Sequence, residues 1–107
     1  MQDKISIGIL NDYYGGILNG HQKDIMHMYF DCDMSLAEVS DELGITRQAV
    51  REVVVRSTQK LQDMEEKLQL ASKVIKISRR LKQIIDTTSS EITQKELAEL
   101  LSEIKEI

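Results

Sequence analysis

The sequence predicts an all-α protein: a helix-turn-helix within an N-terminal unit of three or four helices, followed by a long helix and a C-terminal helix. The chain has no proline and all five glycines lie in its first half, so nothing strongly breaks a helix after Ile45. It has no tryptophan and only four other aromatic residues, which disfavours a β-sandwich or barrel. Apolar residues recur at spacings of three and four along most of the chain, as on the buried face of a helix.

Two helices are predicted before the central motif. The first covers residues 5–18 and ends before the turn signal Asn19-Gly20. The second covers roughly residues 21–30 and carries a short apolar stripe that begins at Ile25. Together they provide apolar faces against which a helix-turn-helix can pack.

The third helix and the turn after it carry clear boundary signals. Ser35 and Glu38 form a capping box, in which each side chain accepts a hydrogen bond from the other residue's backbone N–H. The helix is expected to end near Leu43, where Gly44 permits a sharp turn. Thr46 can then cap the fourth helix. This order of helix, glycine turn and helix is typical of a helix-turn-helix.

The apolar residues around Gly44 have the spacing that this motif requires. The expected inward-facing set is Val39, Leu43, Ile45, Val50 and Val53. Ser40 lies at the crossing of the two helices, where only a small side chain fits. Two helices that cross at roughly 90–120° share a small core and leave the second helix protruding.

The protruding helix has a polar face that defines the candidate binding residues. They are Thr46, Arg47, Gln48, Arg51, Val55, Arg56 and Lys60. Glu52 lies on the same face of the helix. We expect Arg47, Gln48 and Arg51 to contact base edges, because arginine pairs with guanine and glutamine with adenine. Arg56 and Lys60 are expected to contact phosphates. Glu52 would repel phosphate.

Charge is segregated along the chain, although the net charge is only −4. Residues 1–46 carry −6, residues 47–82 carry +6 and residues 83–107 carry −4. A basic segment between acidic ends can attract a polyanion. It can also pair with the acidic ends of its own chain or of a second copy. The sequence leaves both interpretations open.

After the motif, apolar residues recur in a seven-residue repeat, which predicts a long helix that packs against another helix. If unbroken from Thr46 to Asp86, this helix would be about 60 Å long at 1.5 Å per residue. A break near residues 63–66 and a break near residues 71–72 are equally compatible with the pattern. We therefore expect a helix-turn-helix domain over residues 1–62 and a helical extension over residues 63–107 that serves as a dimerisation or packing element.

A last helix is expected to follow a polar connector. Thr93 and Glu96 match a second capping box, which would open this helix. Its apolar face consists of Leu97, Leu100, Leu101, Ile104 and Ile107. This face should pack on the wide apolar stripe that begins at Leu70, in the same chain or in a partner, and we expect a homodimer.

No motif in the sequence indicates catalysis or a cofactor. The single Cys32 cannot form an internal disulfide, and His21 and His27 do not share a helix face. There is no glycine loop with the lysine that cradles phosphate. We expect a cytoplasmic protein that is not an enzyme, has no cofactor or metal and does not span a membrane.

Two resemblances rest on these motifs. Residues 35–61 resemble the helix-turn-helix of region 4 of bacterial sigma factors. Residues 9–70 are similar to the YlxM-like helix-turn-helix proteins of Gram-positive bacteria. The shared features are Asp12-Tyr13-Tyr14, Leu18, Gln22, Tyr29-Phe30, the run from Asp33 to Glu38, the run from Thr46 to Val50, and the run from Glu65 to Leu68.

The resemblance implies a cytosolic all-α protein with a fold like sigma region 4, dimerisation, and a regulatory role in the signal recognition particle pathway. Our leading hypothesis is a helix-turn-helix regulator that binds nucleic acid as a dimer, with DNA favoured over RNA. The alternative is a protein-interaction module that acts on a signal recognition particle component without binding DNA. Because a fold does not fix its function, a helix-turn-helix is compatible with both hypotheses.

Overall fold

The computed structural model of the protein describes residues 4–106, and all regular secondary structure in that range is helical. Its α-helices are α1 (Lys4–Tyr14), α2 (Gly20–Met26), α3 (Leu36–Leu43), α4 (Arg47–Leu68), α5 (Leu70–Thr87) and α6 (Glu91–Lys105). A 3-10 turn follows α1 at Gly15–Ile17, and a π-helical turn follows α2 at His27–Asp31. The prediction of an all-α protein is confirmed.

The chain divides into two compact units between Leu68 and Gln69. Gln69 adopts the left-handed conformation, with φ of 51°, which ends α4. The break therefore lies between the two positions that the sequence allowed. The domain boundary expected at residues 62 and 63 falls inside α4, because Leu61 is fully buried and the Tyr14 hydroxyl donates to the Glu65 carboxylate. These contacts hold the last turns of α4 in the first unit.

The core of the first unit lies between α2, α3 and α4. Ile25, Val39 and Val50 are fully buried at its centre. The half-buried residues packed against them are Met28, Met34, Leu36, Leu43, Ile45, Val53 and Val54. All five residues expected to face inward belong to this core. α1 also packs against α4, so the long helix contacts each of the preceding α-helices.

The first two helices differ from their predicted bounds. α1 ends at Tyr14 rather than at residue 18, and the chain tightens into the 3-10 turn before the buried Leu18. The α-helical part of the second helix ends at Met26 and continues as a π-helical turn. There the Cys32 N–H donates to the His27 carbonyl over 3.0 Å. The chain thus reaches α3 by turns that the apolar pattern did not show.

The second unit is a hairpin of α5 and α6. α5 buries Ala71, Val74 and Leu81, while the apolar residues of α6 are at most half-buried. The expected packing of the last helix on the apolar stripe occurs within one chain. Ile107, the last member of the predicted face, lies outside the described residues.

The start of α6 corrects the second predicted capping box. The Ser90 hydroxyl accepts from the Thr93 N–H over 3.3 Å, so α6 begins at Glu91 rather than after Thr93. The Gln94 side chain donates to the carbonyls of Ile85 and Thr88 over 3.1 and 2.9 Å. These bonds fix the connector against the start of α6, which makes Ser90 the capping residue.

Candidate nucleic-acid interface

The turn between α3 and α4 sets the direction of the candidate binding helix. Gly44 has φ of 68°, a conformation that residues with a Cβ rarely adopt. The N–H groups of Gly44 and Ile45 both donate to the Ser40 carbonyl, over 2.9 and 3.2 Å. The buried Ser40 hydroxyl donates to the Ala37 carbonyl over 2.9 Å. The small Ser40 is thus buried where the two helices cross, as the sequence predicted, and its hydroxyl has a hydrogen-bond partner.

Thr46 caps the helix that follows. Its hydroxyl oxygen accepts a hydrogen bond from the Ala49 N–H over 3.0 Å. Thr46 is exposed, and a hydroxyl that accepts one bond can still donate another. The start of α4 therefore presents unpaired backbone N–H groups together with an available hydroxyl donor, which suits an anion.

The buried face of α4 fixes which side chains point to solvent. Val50, Ser57 and Leu61 are fully buried, at helical spacings of seven and four. All seven candidate residues lie away from this face and are exposed, namely Thr46, Arg47, Gln48, Arg51, Val55, Arg56 and Lys60. The structure thus brings the predicted set together on one side of one helix.

The exposed side chains form two rows at a spacing of four residues. The first row is formed by Arg47, Arg51 and Val55, so it begins with two cations and ends with an apolar side chain that is 53% exposed. The second row consists of Gln48, Glu52, Arg56 and Lys60. Glu52 interrupts this row with a carboxylate. The cations are therefore spread along α4, with Arg47 and Arg51 near its start and Arg56 and Lys60 beyond Glu52.

The cations of α4 are not neutralised inside the unit. Within residues 4–106, ion pairs occur between Lys4 and Asp33 and between His27 and Asp31. Neither Arg47 nor any other lysine or arginine of residues 47–82 forms one in that range. In the described part of the first unit, no acidic side chain therefore forms an ion pair with a cation of α4.

The last predicted cation, Lys60, contacts a residue that the sequence analysis did not assign. The Lys60 ammonium donates to the Gln22 side-chain oxygen over 3.5 Å. Gln22 itself completes a capping box with Asn19 at the start of α2. The signal was present in the sequence, because Asn followed three residues later by Gln is a recognised helix-start pattern. The turn signal Asn19-Gly20 predicts the end of the first helix but does not by itself assign Asn19 as a cap.

Other kinds of site receive no support from the geometry. Across the described residues, no group of three or more His, Cys, Asp or Glu side chains is placed to hold a metal ion. A search of the same residues finds no helix with the length and apolar character needed to cross a bilayer. The exposed face of α4 is therefore the strongest candidate site in the first unit.

The arrangement of α3, Gly44 and α4 defines the chain as a helix-turn-helix protein. The sequence profile of the family described as "Putative helix-turn-helix protein, YlxM / p13 like" matches residues 1–104, and the chain belongs to this family. A UPF0122 protein of Desulforamulus reducens is 38% identical over 86 residues, covering 80% of this chain and 74% of that protein. One from Clostridium kluyveri is 35% identical over 105 residues, covering 98% and 94%. One from Clostridium novyi is 45% identical over 73 residues, covering 68% and 64%.

Proposed function

We propose that this protein is a cytoplasmic regulator that binds nucleic acid through the N-terminal half of α4. The observation that carries the proposal is the exposure of Arg47, Gln48 and Arg51 on a helix whose other face is locked into a core. None of the three side chains is held in an ion pair within the described residues. The helix can therefore approach a ligand without first breaking internal contacts.

The side chains have chemistry suited to base edges and phosphates. An arginine can donate two hydrogen bonds to guanine, and a glutamine can exchange two with adenine. Arg56 and Lys60 lie further along α4, where contacts to phosphate would set the register. Thr46 and the start of α4 would add a neighbouring phosphate contact. Sequence preference would thus come from Arg47, Gln48 and Arg51.

DNA is favoured over RNA as the ligand. The major groove of B-DNA admits an α-helix, whereas the major groove of an RNA duplex is too narrow for side chains to read. The candidate residues form a continuous helical ridge without an exposed aromatic platform, and single-stranded RNA is usually recognised by stacking on such a platform. The ridge therefore matches duplex DNA better.

The proposed binding form is a homodimer. In the second unit, Ile77 is 53% exposed and Ile84 is 49% exposed, and because they are seven residues apart they lie on the same side of α5. α6 covers only part of the apolar stripe, so a second copy is the partner that we propose for the remainder. Sedimentation across a concentration series should show a monomer–dimer equilibrium, and a constant monomer mass would contradict this element of the proposal.

The decisive experiment measures DNA affinity for matched double variants. Duplexes are first selected from a random library with the wild-type chain, and affinity is then measured across a salt series. Arg47→Ala with Arg51→Ala should weaken binding by tenfold or more, because each bidentate base contact is worth about 1–3 kcal/mol. Lys95→Ala with Lys105→Ala removes the same charge from α6 and should change little. Unchanged affinity in the arginine variant would contradict the residue assignment.

A second candidate function is supported by the mixed character of the same face. Glu52 and Val55 lie between the cations, and a carboxylate beside an exposed valine suits a protein surface better than a phosphate backbone. In this alternative, α4 docks on an acidic surface of a signal recognition particle protein. Recovery of its targeting GTPase after nuclease treatment, together with no affinity for selected DNA, would favour the alternative.

A further inference from the structure

The exposed side of α5 is basic over nearly its whole length. Its five cations are all exposed: Lys73, Lys76, Arg79, Arg80 and Lys82. No acidic residue occurs in α5 before Asp86. The helix therefore carries a denser positive charge than α4, where Glu52 interrupts the row.

Helical spacing places the centre of this charge opposite the packed side of α5. Lys76, Arg79 and Arg80 are three and four residues apart, so they lie together on one side. Val74 and Leu81 are buried on the opposite side. We call the surface formed by Lys76, Arg79 and Arg80 the α5 basic face.

The acidic residues of α6 leave the α5 basic face unpaired. α6 carries four glutamates, yet within residues 4–106 none of them forms an ion pair with a cation of α5. Helical spacing explains this, because Leu97, Leu101 and Ile104 form the half-buried side of α6 and the glutamates lie elsewhere on the helix. Opposite charges in the same hairpin are thus kept apart, and the α5 basic face retains its field.

We propose that the α5 basic face binds the sugar–phosphate backbone of nucleic acid, as a second contact surface beyond α4. The ligand class rests on the proposed function, whereas the site is new. From Lys73 to Lys82 the helix rises about 14 Å, which allows contact with more than one phosphate of a strand. Arginine can grip phosphate through two donors, and lysine acts as a point charge. The contacts carry no sequence information.

The structure favours a nucleic acid over a lipid surface as the polyanion. An amphipathic helix binds a bilayer by burying its apolar face at the interface. In α5 the centre of the apolar face is already covered by α6, where Ala71, Val74 and Leu81 are buried, and the exposed Ile77 and Ile84 beside it belong to the proposed dimer contact. What remains opposite that face is charge, which is what a phosphate backbone requires.

The test compares two double variants of the full chain that lose equal charge. Lys76→Gln with Arg80→Gln removes two cations of the α5 basic face, and Lys95→Gln with Lys105→Gln removes two from α6. Affinity is measured for a random-sequence DNA duplex and for a selected duplex across a salt series. The α5 variant should bind both duplexes about tenfold or more weakly, with a salt slope shallower by about 1.8, since each lost phosphate contact contributes about 0.9. The α6 variant should keep the wild-type slope.

The outcomes separate this proposal from the one for α4. If Arg47→Ala with Arg51→Ala weakens binding while the α5 variant matches the α6 control, the α5 proposal is overturned and the α4 proposal stands. If the α5 variant alone loses affinity, the α5 proposal stands and the base-contact assignment fails. Binding of the wild-type chain to phosphatidylglycerol vesicles that depends on Lys76 and Arg80, without an effect of those residues on DNA affinity, would also overturn it.

Discussion

The two units differ in how completely they bury their apolar residues. The first unit buries Ile25, Val39 and Val50 to zero exposure, whereas the best-buried apolar residues of the second are Ala71 at 2% and Val74 at 7%. A helix held by a closed core keeps a fixed orientation, which the reading of bases requires. A two-helix hairpin cannot enclose its apolar residues to the same degree. The first unit can therefore position α4 by itself, whereas the second leaves apolar side chains such as Ile77 and Ile84 exposed.

The two basic helices also differ in which side chains lie among their cations. α4 intersperses Glu52 and Val55 among its cations, a mixture that can discriminate between ligands. α5 presents cations without an acid among them, which suits attraction to any polyanion. The proposed roles follow from this contrast: α4 selects a sequence and α5 adds affinity.

The largest expected effect tests the difference in burial. Ile25→Ala removes a fully buried side chain from the first core and should lower the free energy of unfolding by about 2–5 kcal/mol. Leu81→Ala, in the second unit, should cost less, because Leu81 is 9% exposed and its site can collapse or fill with water. Chemical denaturation followed by circular dichroism measures both changes. Equal losses in the two variants would contradict the comparison.

The central motif could be predicted because its signals are local. Val39 and Val50 belong to short apolar rows on either side of Gly44, and a left-handed turn there requires glycine. The exposure of Arg47 and Arg51 follows once the valines are directed inward. Fold and candidate surface therefore came from one short segment. What these side chains bind is a separate question, because it depends on a ligand.

The missed features depend on contacts that residue types do not encode. In the π-helical turn from His27 to Asp31, backbone hydrogen bonds join residues five apart instead of four. The spacing of apolar residues does not reveal this difference. Gln69 breaks the long helix in the left-handed conformation at the boundary between the two compact units, without the glycine or proline that would mark a break in the sequence. At the start of α6, Gln94 fixes the connector, and Ser90 caps the helix instead of Thr93.

The next expected effect tests whether the turn of the first unit is as constrained as its core. Gly44→Ala should lower the free energy of unfolding by about 1–2 kcal/mol, since Gly44 has φ of 68° and alanine is strained there. Space is not the cause, because a Cβ at Gly44 would meet nothing within 4 Å. Gly8→Ala is the matched control: Gly8 lies inside α1 with equal space, and alanine should stabilise the helix by about 0.5–1 kcal/mol. Thermal unfolding of both variants measures the changes, and shifts of the same sign would be inconsistent with the turn argument.

The smallest expected effect compares the helix caps of the two units. α3 begins with a reciprocal capping box, whereas α6 has the Ser90 hydroxyl alone and no titratable partner at Thr93. The Ser35 backbone N–H, together with the Ser35 side chain, hydrogen-bonds to Glu38 and lowers its pKa below the ordinary value of 4.5. Because the pKa is lowered in the folded state, the cap contributes stability above pH 4.5 and loses it as the pH falls through the folded-state pKa.

An NMR titration of the Glu38 carboxyl should therefore give a midpoint below 4.5 in the wild-type chain. Ser35→Ala removes the side-chain partner and should raise that midpoint, although the backbone bond keeps it from returning fully. Ser90→Ala is the matched control, because it removes a cap of α6 and should leave the Glu38 midpoint unchanged. A wild-type midpoint at or above the ordinary value would show that the reciprocal box does not form in solution. The difference between the caps of α3 and α6 would then be lost.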